Sequence, residues 1–168
     1  EKQGDRIALR FPSNGLFHDL SWNDYRAQAD QAATGLLGLG IQPGDRIAVL
    51  SENRVEWFIA DHGVLSTGAA NVPLHAPLAP KQVAYQVGHS EACGIIVSNQ
   101  TQADKVFAVL DELPLLEFMI SFEAIEARSD RIAVLSWQSL KHRCGHSDST
   151  AIRNREANLN RDSLATII

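Results

Sequence analysis

The chain has 168 residues, 45% of them hydrophobic and 21% charged, with a net charge of −5. That suits one ordinary globular domain with a real core. The negative balance and the absence of any basic run argue against a nucleic-acid partner, and the longest apolar run, Val106 to Leu110, is far short of the ~20 residues that cross a bilayer.

In chain order, Arg6 to Phe11 alternates like a strand, Pro12-Ser13-Asn14-Gly15 reads as a turn, and Phe17 to Trp22 returns as the second arm of a hairpin. Ser21 and Asp24 then have the spacing of a helix N-cap, and Tyr25, Ala29, Ala32, Ala33, Leu36 and Leu37 follow on one apolar face. Gly38 and Gly40 end that helix. Arg46 to Leu50 is a short apolar strand, and Asn53 with Glu56 predicts a reciprocal cap on a second helix, Arg54 to about Thr67, apolar nearly all round. Ala70 to Leu74 is a strand. Pro80 opens a short helix through His89.

The alternation continues. Gly94 to Val97 is a strand. Thr101 and Asp104 predict the cap of a helix reaching about Leu113, and Leu116 to Ser121 and Ile132 to Leu135 predict two more strands. Leu140 to Asn160 reads as loop plus a weak helix, and Leu164 to Ile168 as the start of a final strand. Strands alternating with helices predict an α/β fold: a doubly wound, mostly parallel sheet with helices on both faces and a small N-terminal hairpin.

Few residues suggest chemistry. Gly35 to Gly40 has the order G-x-x-G-x-G and sits at a helix end, which favours helix termination over dinucleotide binding. His142-Arg143-Cys144-Gly145-His146 gathers two imidazoles and a thiol, but a zinc site needs more ligands and a solvated loop fits better. Asp-Arg-Ile-Ala recurs from Asp5, Asp45 and Asp130 at unequal spacing, which reads as a common strand entry. Cys93 reads as a small core residue, and two cysteines suit a reducing cytoplasm. Ligands of open parallel sheets bind outside the carboxyl ends of the strands. Three loops qualify: Ser51-Glu52-Asn53, His75-Ala76-Pro77 and Ser98-Asn99-Gln100. Leu74, His75, Ala76 and Pro77 are the candidate binding residues, against the plainer reading of a stiff connection between layers.

Leu20-Ser21-Trp22 through Gly40, Pro43 through Asn53, Glu56-Trp57, Gly68-Ala69, Val72-Pro73-Leu74 and His89 to Ala92, in this order and spacing, resemble the N-terminal subdomain of the adenylate-forming (AMP-binding) family. Ser51-Glu52-Asn53-Arg54 with Glu56-Trp57 looks most like bacterial long-chain fatty-acid–CoA ligases. Arg161 to Ile168 is similar to the strand that, in the family, leads into a phosphate-binding loop. The resemblance implies that residues 1–168 are a partial N-terminal subdomain ending just before that loop. The parent would activate a fatty acid with ATP and transfer it to CoA, with Mg2+ offsetting phosphate charge. No catalytic or metal-binding residue transfers onto these positions, so the fragment is expected to be inactive scaffold with part of the substrate crevice. The Leu74–Pro77 loop carries over only as a position near CoA or substrate. The start at Glu1 fits an excised segment. A cytoplasmic protein, at or off the membrane surface, and a homodimer are compatible with this reading. The alternative is a self-contained, non-enzymatic α/β binding module.

Overall fold

The computed structural model describes residues 3–13, 15–142 and 149–168. The first apolar alternation becomes an antiparallel hairpin, β1 (Ile7–Ser13) and β2 (Leu16–Ser21). Its two arms are joined at the surface by Arg10 and Asp19, whose side chains bond at 2.6 and 2.8 Å. Ser21 then caps α1 (Trp22–Leu37) as its spacing predicts, its hydroxyl accepting from the Asp24 N–H at 3.1 Å. Gly38 ends the helix, and Gly40 takes the left-handed conformation (φ 92°) that carries the chain out of it.

The remaining elements are β3 (Arg46–Ser51), α2 (Val55–Ser66), β4 (Ala70–His75), α3 (Pro80–His89), β5 (Gly94–Val97), α4 (Gln100–Phe107), β6 (Phe118–Ser121), β7 (Ala133–Ser136), α5 (Trp137–His142) and α6 (Ser149–Ala157). Strands β3 to β7 form one parallel sheet in the order β4-β3-β5-β6-β7. The expected α/β architecture is therefore present, with the hairpin as a separate antiparallel ribbon. Each copy of Asp-Arg-Ile-Ala stands at the entrance to a strand, namely β1, β3 and β7.

Alternate residues of the strands feed two cores. Ile47, Val49, Ile96 and Ile120 pack under α1, α2 and α5, while Ala48, Leu50, Ile95 and Met119 pack against α3 and α4. All eight are fully buried, so the middle of the sheet is covered on both faces, as parallel sheets require. Gly35 serves this packing. A Cβ there would lie 2.5 Å from the Leu140 carbonyl oxygen, so only glycine lets α1 approach α5 this closely.

Some sequence readings are corrected. Asn53 does not cap α2; Arg54 holds the N-cap position without a side-chain cap bond, and Glu56 turns to its guanidinium. A charge-assisted forked pair outcompetes the neutral amide cap. The cap of α4 is Asn99, whose Oδ1 accepts from the Gln102 N–H at 3.2 Å, while Asp104 accepts from Gln100 instead of capping. That helix stops at Phe107 because Val109 leaves helical geometry (φ −126°, ψ 14°), and only a 3₁₀ turn (Leu110–Glu112) follows. Ala79 lacks a capping oxygen, yet its own N–H is satisfied by Gln82 Oε1 at 2.9 Å, half of a capping box. The segment read as the start of a final strand does begin to pair in parallel, through a bridge of Thr166 with Asn71. Of the His142–His146 cluster, residues 143–146 lie outside the described residues, as does Cys144.

Candidate functional site

The carboxyl ends of β3, β4, β5 and β6 share one edge of the sheet, and the three candidate loops leave from it. Two of them are tied together by Glu52. Its carboxylate accepts from the Ser98 hydroxyl at 2.5 Å and from Gln102 Nε2 at 2.7 Å, and both partner residues are buried. Partial burial would raise the Glu52 pKa, but these two bonds, with the Arg54 charge, outweigh it and hold the carboxyl below its ordinary range. The third loop is held from α4 by Lys105, whose Nζ donates to the Ala76 carbonyl at 2.5 Å. Leu78 closes the turn by donating its N–H to the His75 carbonyl at 3.0 Å.

The four residues chosen from sequence divide by direction. Leu74 and Ala76 are buried, and Leu74 belongs to the core under α3. His75 and Pro77 are exposed on the edge, with His75 in register with Ser51 of β3. Only that outward pair of the segment faces solvent.

A groove of about 470 Å³ lies beside this edge, between the hairpin and the start of α2. Leu9, Phe11, Val55 and Phe58 give it apolar walls, and Asn53, Arg54, Glu56 and Glu123 give it a polar floor. Phe58 is 41% exposed there, so α2, read from sequence as apolar nearly all round, opens one aromatic to the groove. Arg54 Nε donates to Glu56 at 2.8 Å and its other arm to Glu123 at 2.8 Å, while the guanidinium lies 5.4 Å from the centre of the Phe122 ring. Both carboxylates, Glu56 first, hold the Arg54 proton more firmly than usual despite burial. Burial opposes ionisation of Glu56, yet the Arg54 contact prevails and lowers its pKa.

The Cys93 thiol sits at the opposite, amino end of β5 and donates to the Arg46 carbonyl. Burial first, then the charges of Asp45 and Glu117, push its pKa up to about 11, so it stays protonated at neutral pH. Among the described residues no group of three or more His, Cys, Asp or Glu side chains fits a metal ion, and no helix is long and apolar enough to cross a membrane.

Sequence reasoning missed Glu52, Arg54 and Lys105 as structural ties. Their partners lie 46, 69 and 29 residues away, beyond the reach of any local pattern.

A parallel sheet with tied loops at its carboxyl edge is common to many nucleotide and acyl-transfer folds, and comparison with known proteins decides among them. The family model described as "AMP-binding enzyme" matches residues 1–168. The chain belongs to the AMP-binding enzyme family. Within that family it is 31% identical over 137 residues to the long-chain-fatty-acid–CoA ligase ACSBG2 of Xenopus laevis, covering 82% of this chain and 18% of that ligase. An uncharacterized protein of Mycobacterium tuberculosis is 32% identical over 104 residues, 62% of this chain and 58% of that protein. Among solved structures, coronafacic acid ligase from Pectobacterium brasiliense superposes with a TM-score of 0.75 at 24% identity, over 89% of this chain and 28% of that one, which is a likeness of fold. The chain thus spans less than a fifth of the length of the Xenopus ligase.

Proposed function

We propose that this AMP-binding chain is the N-terminal part of an AMP-forming long-chain fatty-acid–CoA ligase. The observation that carries the reading is the match of the whole chain to the AMP-binding family together with its similarity to a long-chain-fatty-acid–CoA ligase. In the reaction, the fatty-acid carboxylate attacks the α-phosphorus of ATP. The bond from that phosphorus to the bridging oxygen breaks and pyrophosphate leaves. The thiolate of CoA then attacks the acyl carbonyl carbon, and AMP departs with its phosphate oxygen.

The described residues act as framework. Glu52, Ser98 and Gln102 hold two edge loops in fixed relation, and Lys105 stiffens the third. Pre-set loops cost less ordering on ligand binding. His75 and Pro77 form the CoA- or substrate-facing point of this edge, and the groove walled by Phe11 and Phe58 is part of the crevice region. In this reading Mg2+ would offset the phosphate charge of ATP, held largely by the phosphates themselves. The phosphate-holding loop is assigned to sequence following Ile168.

The full-length gene product should release pyrophosphate from ATP in the presence of a long-chain fatty acid and form acyl-CoA. Residues 1–168 alone should release none. In the full-length product, His75→Ala should raise the KM for CoA severalfold and leave acyl-AMP formation unchanged. Turnover by the 168-residue chain, or no AMP production by the full product with any fatty acid, would overturn the proposal.

A second reading, a stand-alone binding module, draws on one observation: the matched region makes up more than half of the Mycobacterium tuberculosis relative. A message that terminates near Ile168, encoding a cooperatively folding protein without ligase activity, would favour it.

A further inference from the structure

The outer edge of β4 carries two unusual residues in alternate positions. Ala70 donates its N–H to the Asp45 carbonyl at 2.7 Å, which turns residues 70, 72 and 74 toward β3. Residues 71 and 73 therefore present their backbone groups to the other side. Asn71 uses both of its groups there. Its N–H donates to the Ala165 carbonyl at 2.9 Å, and its carbonyl accepts from the Ile167 N–H at 3.0 Å. The next rung of a parallel ladder would need an N–H from residue 73 to the carbonyl of residue 167. Residue 73 is Pro73, which has no N–H.

We propose that this edge docks and releases a strand: Asn71 fixes segment 165–167 in register, and Pro73 ends the pairing after one rung, so that the backbone beyond Ile167 leaves the sheet at the level of Pro73, close to the His75 end of β4.

The side chain of Asn71 reinforces the first half. It is 1% exposed, and its Nδ2 donates to Asp61 Oδ1 of α2 at 2.6 Å. The rung is thus anchored through β4 to the helix behind it. The segment itself buries little, for Ala165 and Thr166 are exposed and Ile167 is half-buried against the core. Its register rests on Asn71 more than on its own packing. The second half follows from direction. Pairing is parallel, so the segment points toward the same sheet edge as the three tied loops. Asn71 and Pro73 are positioning residues in this account. Their bearing on ligand binding rests on the reading proposed above; the strand geometry does not.

Amide hydrogen exchange on the full-length gene product, with no substrate present, separates the two, because a protein without ligase activity gives the same exchange readout. Slow exchange of Ile95 and Ile96 in β5 reports that the fold is intact. Asn71→Asp sets a carboxylate against Asp61 and should speed Ile167 exchange at least about tenfold. Adding Asp61→Asn reverses donor and acceptor and should restore the slow rate. Pro73→Ala supplies the missing donor, and the new backbone amide at position 73 should exchange about tenfold or more slower than an exposed turn amide such as that of Gly15. Unchanged Ile167 exchange in Asn71→Asp, no rescue by the double change, or a position-73 amide as fast as that of Gly15 would each overturn the proposal. If Asn71→Asp also loses β5 protection, the Pro73→Ala measurement decides.

Discussion

The middle of the sheet and the last twenty residues are held by different forces. In β3, β5 and β6, Ile47, Val49, Ile95, Ile96 and Ile120 are entirely shielded from water. Each such side chain contributes about 1.5–3 kcal/mol of transfer free energy, nearly independent of salt and pH. Residues 149–168 have one buried hydrophobic side chain, Ile152, among those described. They are fixed instead by polar ties. Glu156 accepts from Arg26 at 2.8 Å and from the Ser66 hydroxyl at 2.9 Å, and Arg155 reaches the Thr67 carbonyl and Gln42. The contrast teaches that one chain can carry a frame insensitive to its surroundings and an appendage that responds to them.

The largest expected effect tests the frame. Ile96→Ala leaves a hole beneath α2 and should lower unfolding free energy by about 2–5 kcal/mol in denaturant titrations. A loss below about 1 kcal/mol would mean that the sheet centre is looser than its burial implies. Next comes the appendage. Glu156→Gln weakens a partly exposed pair and should cost only about 1 kcal/mol or less globally, while proteolytic cleavage within 155–161 rises severalfold. Equal sensitivity of the whole molecule would erase the distinction between the two regions.

The smallest effect is one of pH. Burial would raise the Glu156 pKa, but Arg26 and Ser66 bring it below the ordinary glutamate value of 4.5. A carboxyl lowered by folding stabilises above the unfolded-state value, and that contribution fades as pH falls through the folded-state value. Cleavage within 155–161 should therefore increase as the solution is acidified below about 4.5. High salt at neutral pH should act in the same direction, since the pair is screened. Insensitivity to both would sink the electrostatic account of this segment.

Legibility in the sequence follows the range of the interaction. The Gly94–Val97 strand is readable to the residue, as are the Ser21 cap and Pro80 at the start of α3, because each is set by neighbours within a few positions. The cap of α2 is misread from sequence because the contest for Glu56 involves Arg54, whose second partner Glu123 comes from the loop after β6. The terminal segment has the composition of a strand, yet its partner, Asn71 on β4, lies far earlier in the chain, so its pairing is not readable locally. At the candidate site, sequence identifies which loops share the edge, since strand ends follow from periodicity. It does not reveal that His75 and Pro77 face outward while Leu74 and Ala76 turn in, because that depends on how the turn is pinned by Lys105.

The forked contacts of Arg54 give the hairpin groove a chemical preference of its own. A phosphate or carboxylate entering there would have to evict Glu56 or Glu123 from a cation both already grip, and would meet their repulsion while doing so. A hydrocarbon guest faces no such rivals and finds Phe11 and Phe58 waiting. The groove's positive charge is thus internally neutralised, which would favour an apolar guest over an anion.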